Sequence, residues 1–248
     1  MLKNIFLPAF ALRSGLAQPG FLHQPRIAPI RHKSKMPLER STDPLVWIDC
    51  EVCPDIPTPI PNLPRVPQCH TTKPPTKMTG LNPETDKILQ ICCFITDAQL
   101  NLLEPTGFET VIHVPDSTLD AMSQWCIDTH GRTGLTAAVR ASTTDPSTAA
   151  DSLLAYIRQH IPVPRTALLA GNSVHADKAF LACAPYSQVL DHLHYRILDV
   201  SSLKEAARRW GSDKMLEQVP PKKEVHLARE DILESIEEMR FYKEKLFG

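Results

Sequence analysis

The sequence predicts an α/β domain built on a mixed sheet, with three antiparallel strands first and then strands alternating with helices that flank the sheet. Two observations carry that expectation. Apolar runs of strand type with short connections crowd the stretch before Pro115, and helical spacing replaces them after it, interrupted by two brief apolar runs. Leu45-Val-Trp-Ile48 opens the series and runs into Asp49-Cys50-Glu51. Lys87 to Thr96 (KILQICCFIT) is the second strand and Phe108 to Val114 the third, and their short connections suit a meander. Helical spacing then appears around Leu119–Trp125 and in Ala149–His160. Ala167-Leu-Leu-Ala170 is a buried strand that ends in Gly171-Asn172-Ser173, with a helix from Ala176. Tyr195–Val200 is one more strand, with a helix from Ser202 to Trp210. The last helix puts Ile232, Ile236, Met239, Tyr242 and Leu246 on one face.

Charge divides the chain. Of 27 Lys and Arg and 28 Asp and Glu, seven basic residues and one acid fall in residues 1–40, so 41–248 carries a net charge of −7. The first forty residues are acid-poor, basic and amphipathic (MLKNIFLPAFALRSGLA), the composition of a mitochondrial transit peptide. Arg13 interrupts the apolar core that a secretory signal needs. The expectation is a leader over 1–40 that directs the chain to the matrix, with any leaderless isoform left in the cytosol. An acidic body lacks the clustered Lys and Arg that grip long nucleic acid. No stretch approaches the roughly 18 consecutive apolar residues of a membrane span. Seven cysteines, with Cys92 and Cys93 adjacent, do not make a disulfide framework and suit a reducing interior.

Residues 52–77 interrupt the domain that otherwise fills 41–248. Eight of the chain's 23 prolines fall in these 26 residues, which predicts an extended loop. The plainest reading is a tolerated surface insertion. A zinc site from Cys50, Cys53, Cys69 and His70 is a second reading, but adjacent Cys69 and His70 rarely converge on one ion. A retained intron is the third. The segment opens with Val52, whose codons all begin GT, and closes with Lys77, one of whose codons ends AG; its removal would join Glu51 to Met78.

The chemistry lies in four acids and one histidine. Asp49 and Glu51 are two apart on a strand, so both carboxylates project from one face, a start for a Mg²⁺ or Mn²⁺ site. Asp177 follows the strand and turn LLAGNS, near the start of the next helix. His226 and Asp231 flank the start of the last helix. Singly, each has a plainer role at a strand end or in a first turn.

In this order they resemble the DEDDh set of 3′→5′ exonucleases, which have a ribonuclease H-like fold. The words WIDCE (47–51), MTGL (78–81), Trp125-x4-His130, GNS-x3-Asp177, HYRILDVSSLKEAARRW (194–210) and H-x4-DI-x-ES (226–235) narrow the resemblance to the oligoribonuclease family. The resemblance implies two Mg²⁺ or Mn²⁺ ions held by Asp49, Glu51, Asp177 and Asp231, with His226 as general base. It implies a substrate of very short RNA, down to dinucleotides, trimmed to mononucleotides. Leu81 matches the family's wedge between two bases, and Trp125 an aromatic base platform. Ser173, Arg196, Ser201 and Ser202 match positions that cap the 5′ phosphate. Tyr195, Arg196 and His130 match residues that act across a homodimer interface. Core packing is the plainer role for Leu81 and Trp125.

Some positions depart from the family: His175-Ala176 stand where Gly-Gln is usual, Cys126 where Asn is common, and 52–77 separates Glu51 from Leu81. If translated, that insertion is expected to lower activity while metal binding is kept. A DEDDh exonuclease on longer RNA or DNA ends, or a non-catalytic RNA-binding relative, are the alternatives.

Overall fold

The computed structural model describes residues 39–53, 82–221 and 227–248. Within 41–248 the strands are β1 (Leu45–Cys53), β2 (Lys87–Thr96), β3 (Phe108–Val111), β4 (Leu168–Gly171) and β5 (His194–Asp199). They form one five-stranded sheet in the order β3-β2-β1-β4-β5. β1 pairs antiparallel with β2, and β2 with β3, while β1–β4 and β4–β5 are parallel. This is the mixed sheet that the sequence pattern predicts.

β1 sits at the centre and sends alternate side chains to opposite cores. Val46, Ile48 and Cys50 enter the back core. There they meet Leu153 and Ile157 of helix α4 (Pro146–His160). Phe180 of α5 (His175–Leu181) and Val189 of α6 (Ser187–His192) complete that layer. Leu45 and Trp47 enter the front core, which is roofed by α7 (Val200–Trp210) and the long α9 (Ala228–Phe247). Trp47 is fully buried, and its indole N–H donates to Thr96 Oγ1 at 3.0 Å, so the polar end of that ring is satisfied. A third, smaller core gathers α1 (Asp116–Asp120), α2 (Gln124–Thr133) and α3 (Leu135–Ala141) around Leu89 and Val114. One further turn, α8 (Asp213–Leu216), follows α7.

Helix starts follow local chemistry. Asp145 caps α4 by accepting from the N–H groups of Ser147 (2.8 Å) and Thr148 (3.1 Å), with Pro146 at the first helical position. The helix expected across Leu119–Trp125 is broken, because the Ser123 hydroxyl accepts from Cys126 N–H at 3.2 Å and starts α2 afresh. The strand β1 also runs further than its apolar run, taking in Val52 and Cys53 after a register shift at Glu51/Val52. The rest of the proline-rich segment lies outside the described residues. On α9, Ile232, Ile236, Met239 and Tyr242 are buried as expected, whereas Leu246 lies partly open to solvent near the helix end.

Candidate active site

Alternation along β1 decides where the acids go. Because Cys50 is buried in the back core, Asp49 and Glu51 face the front, beyond Trp47. α9 crosses that face with its first turn over them. Ligand oxygens of Asp49, Glu51 and Asp231 all lie within 4.8 Å of one another. Asp177, from α5, comes up at the edge of the same strand: its Oδ1 accepts the backbone N–H of Cys50 at 3.0 Å, and it is buried. Burial, then the charge of Asp49 and to a lesser degree of Glu51, push the Asp177 carboxyl well above the usual carboxylate range. Packing carboxylates together in this way costs free energy unless a cation joins them. Oxygen-only donors, with Asp49 and Glu51 half-buried and Asp231 buried, suit a hard divalent ion.

The neighbouring cysteines are not part of this donor set. Cys92, opposite Asp49 across the β1–β2 pair, has its thiol pushed up to about 12, mainly by burial and then by Glu109 and Asp49. The Cys50 thiol is raised as well, by burial and by Asp177, Asp49 and Glu51, and it points into the back core. The Cys50 thiol that the zinc reading needs is therefore buried in the back core and held protonated. Cys69, His70, Leu81 and His226 lie outside the described residues.

A second cluster forms at the C-terminal ends of β4 and β5. Ser173 adopts a left-handed backbone conformation (φ 54°), unusual for a residue with a Cβ. Asp199 holds it there: one carboxylate oxygen accepts the N–H groups of both Ser173 (3.0 Å) and Ser201 (2.9 Å). The two serine hydroxyls meet at 3.1 Å. Ser202 is exposed beside them in the first turn of α7. Tyr195 and Arg196 are exposed on β5, with the guanidinium 5.3 Å from the centre of the tyrosine ring. Trp125 is 40 % exposed in the first turn of α2, so core packing does not explain it. His130 is buried in the same helix.

Sequence reasoning missed Asp199 as the residue that orders the serine pair, although an acid directly before V-S-S has the form of a helix cap. It also missed the polar links from Asn172 to Ser235 and Glu238 on α9, whose partners lie more than sixty residues away in the chain. No local signal marks that pairing.

Comparison with known proteins fits this geometry. The RNase_T exonuclease family model matches residues 77–239. The mitochondrial oligoribonuclease of Bos taurus is 47% identical over 171 residues, covering 69% of this chain and 70% of that protein. The chain belongs to the oligoribonuclease family. A Mycobacterium sp. (strain KMS) oligoribonuclease is 41% identical over 205 residues, covering 83% of this chain and 82% of that protein. S. pombe Pop2p, solved in a Mg²⁺- and Mn²⁺-bound form, shares the fold with a TM-score of 0.54 at 14% identity, over 83% of this chain and 84% of that one. This oligoribonuclease-family chain is thus a 3′→5′ exoribonuclease with a ribonuclease H-like mixed sheet, and its acidic cluster supports use of a divalent metal. Among the described residues, no helix of this exonuclease is long and apolar enough to cross a membrane.

Proposed function

We propose that this exonuclease degrades very short RNA, down to dinucleotides, to mononucleotides by hydrolysis from the 3′ end. The observation that carries the reading is the convergence of Asp49, Glu51 and Asp231 within 4.8 Å beside the buried Asp177. These four carboxylates hold two ions, Mg²⁺ or Mn²⁺. When bound, such ions supply Lewis-acid stabilisation of the charge that grows on the phosphoryl and leaving oxygens. Asp49, Glu51, Asp177 and Asp231 supply four negative charges to balance two divalent cations. His226 takes the proton from the attacking water through a neutral imidazole nitrogen.

Recognition is by the ends of the substrate, in keeping with a body of net charge −7 that offers no basic track. Ser173, Ser201, Ser202 and Arg196 hold the 5′ phosphate. Leu81 wedges between the two bases and Trp125 offers a stacking face, for which its exposure is suited. Tyr195 and Arg196, both exposed, together with His130, act across a homodimer interface. The relatives named mitochondrial and the composition of 1–40 support a matrix location, with that segment as leader, 41–248 as the exonuclease domain and 52–77 as an insertion within it.

End-labelled RNA and DNA of two and of twenty nucleotides, incubated with Mg²⁺, Mn²⁺ or EDTA, test the reading. The expected result is metal-dependent loss of the RNA dinucleotide first, abolished in Asp231→Ala. Faster turnover of the twenty-nucleotide substrates, or hydrolysis that persists in EDTA, overturns it.

A further inference from the structure

A chain of polar contacts connects the serine pair to the carboxylate cluster. Ser173 Oγ lies 3.1 Å from Ser201 Oγ, and Ser201 donates to Asn172 Oδ1 at 3.1 Å. Asn172 Nδ2 donates to Ser235 Oγ (2.8 Å) and Glu238 Oε2 (3.2 Å). Ser235 in turn donates to the backbone carbonyl of Asp231 at 2.7 Å. The half-buried Asn172 sits in the turn after β4, so one amide touches both α7, which carries Ser201, and α9, which carries Asp231.

Its orientation is fixed. An amide offers two N–H donors and one carbonyl, and here each has a partner. Turned over, the amide would set its oxygen against the buried Glu238 carboxylate and its N–H₂ against the hydroxyl of Ser201. Glu238 is itself held by Lys204 of α7 at 2.7 Å and by the Tyr242 hydroxyl at 3.4 Å, so α7 and α9 are tied at this level as well. A partly buried polar network satisfied in this way favours one arrangement of the elements it joins. It also sets the hydroxyls: Ser201 has one hydrogen and gives it to Asn172, so it must be the Ser173 hydroxyl that donates between the two serines, and that hydrogen is free to turn to an arriving phosphate.

We propose that Asn172 is a positioning residue that fixes the distance between the 5′-phosphate anchor and the carboxylate cluster, and so carries the preference for the shortest RNA. The inference rests on the function proposed above. A dinucleotide needs both ends of the site at one fixed separation. A longer chain, whose 5′ end passes the serines, uses only the carboxylate end. Disturbing the amide therefore penalises the dinucleotide selectively.

The test uses the full chain as Asn172→Ala, Ser235→Ala and the double variant. Each is assayed on 5′-phosphorylated RNA dinucleotide and pentanucleotide, reading the ratio of kcat/KM for the two. Both substrates meet the same preparation, so the fraction of folded enzyme cancels from the ratio. Loss of a hydrogen bond of ordinary strength predicts a roughly five- to tenfold fall in the ratio for each single variant. Because both variants break one chain of contacts, the double variant should fall no further than the worse single. Equal losses on both substrates, an unchanged ratio, or additive falls overturn the proposal while leaving the proposed function standing. A wild-type enzyme without a dinucleotide preference removes both.

Discussion

The two faces of β1 divide the work of the protein between them. On the back, Val46, Ile48 and Cys50 are sealed under α4 and α5, and all are at most 4% exposed. On the front, Trp47 is equally buried, but the next two positions on that face are Asp49 and Glu51, drawn together with Asp231. One strand thus spends one side on packing and the far end of the other on like charges held close. Burying apolar area stabilises in proportion to the area removed from water. Gathering carboxylates does the reverse, and the Asp177 carboxyl, raised first by burial and then by the charge of Asp49, carries part of that cost. The lesson is that core packing and the proposed active site can share nine residues, because period-two alternation separates them.

The sharpest way to break that contrast is to exchange their roles. Glu51→Gln keeps shape and removes one ligand charge; hydrolysis of an RNA dinucleotide should fall by about 10³-fold, the rate equivalent of several kcal/mol of lost charge stabilisation. Its melting temperature in EDTA should match or exceed that of the wild type. A large loss of stability would show that the front face also holds the fold. The converse change is Leu153→Ala on α4, where the side chain is fully buried in the back core. It should cost about 2–5 kcal/mol by chemical denaturation while leaving kcat of the folded enzyme near wild type. A drop in kcat that outruns the folded fraction would mean that the back core also sets the site's geometry.

A finer effect follows from Asp177. Its folded-state carboxyl is raised, whereas in the unfolded chain an Asp titrates near about 3.9. Between those two values the folded state keeps a proton that unfolding releases, so this group's contribution to stability falls as pH rises through the window. Metal-free wild type should therefore lose stability from about pH 4 upward relative to Asp177→Asn, in which that titration is absent. Saturating Mg²⁺ should narrow the gap at neutral pH, since a ligand that binds only the folded state stabilises it. Parallel pH profiles for the two proteins in EDTA would contradict the assignment.

Much of the fold was legible because it follows short periods. The second strand, Lys87–Thr96, was readable from its run of apolar residues, and α9 from Ile232, Ile236, Met239 and Tyr242 at helical spacing. Asp49 and Glu51 could be placed on one face from alternation alone. The short helices α3, α6 and α8 were not legible, since a few residues carry too little periodicity to stand out, and the break at Ser123 hinges on one hydroxyl. Trp125 was ambiguous between core and surface, and only the packing of α2 left it exposed.

By itself the sequence determined which atoms are available: four carboxylates, an imidazole, a set of serines, and the periodicities that assign each to a strand or helix. Whether those atoms meet was decided by tertiary structure. The crossing of α9 over the end of β1 brings Asp231 to Asp49 and Glu51, Asp199 bends Ser173 into its left-handed conformation, and Asn172 reaches residues on two other helices. The reason is physical. Alternation and helical spacing act between neighbours in the chain, whereas a charge or an amide acts through space, on partners chosen only when the sheet and its helices close.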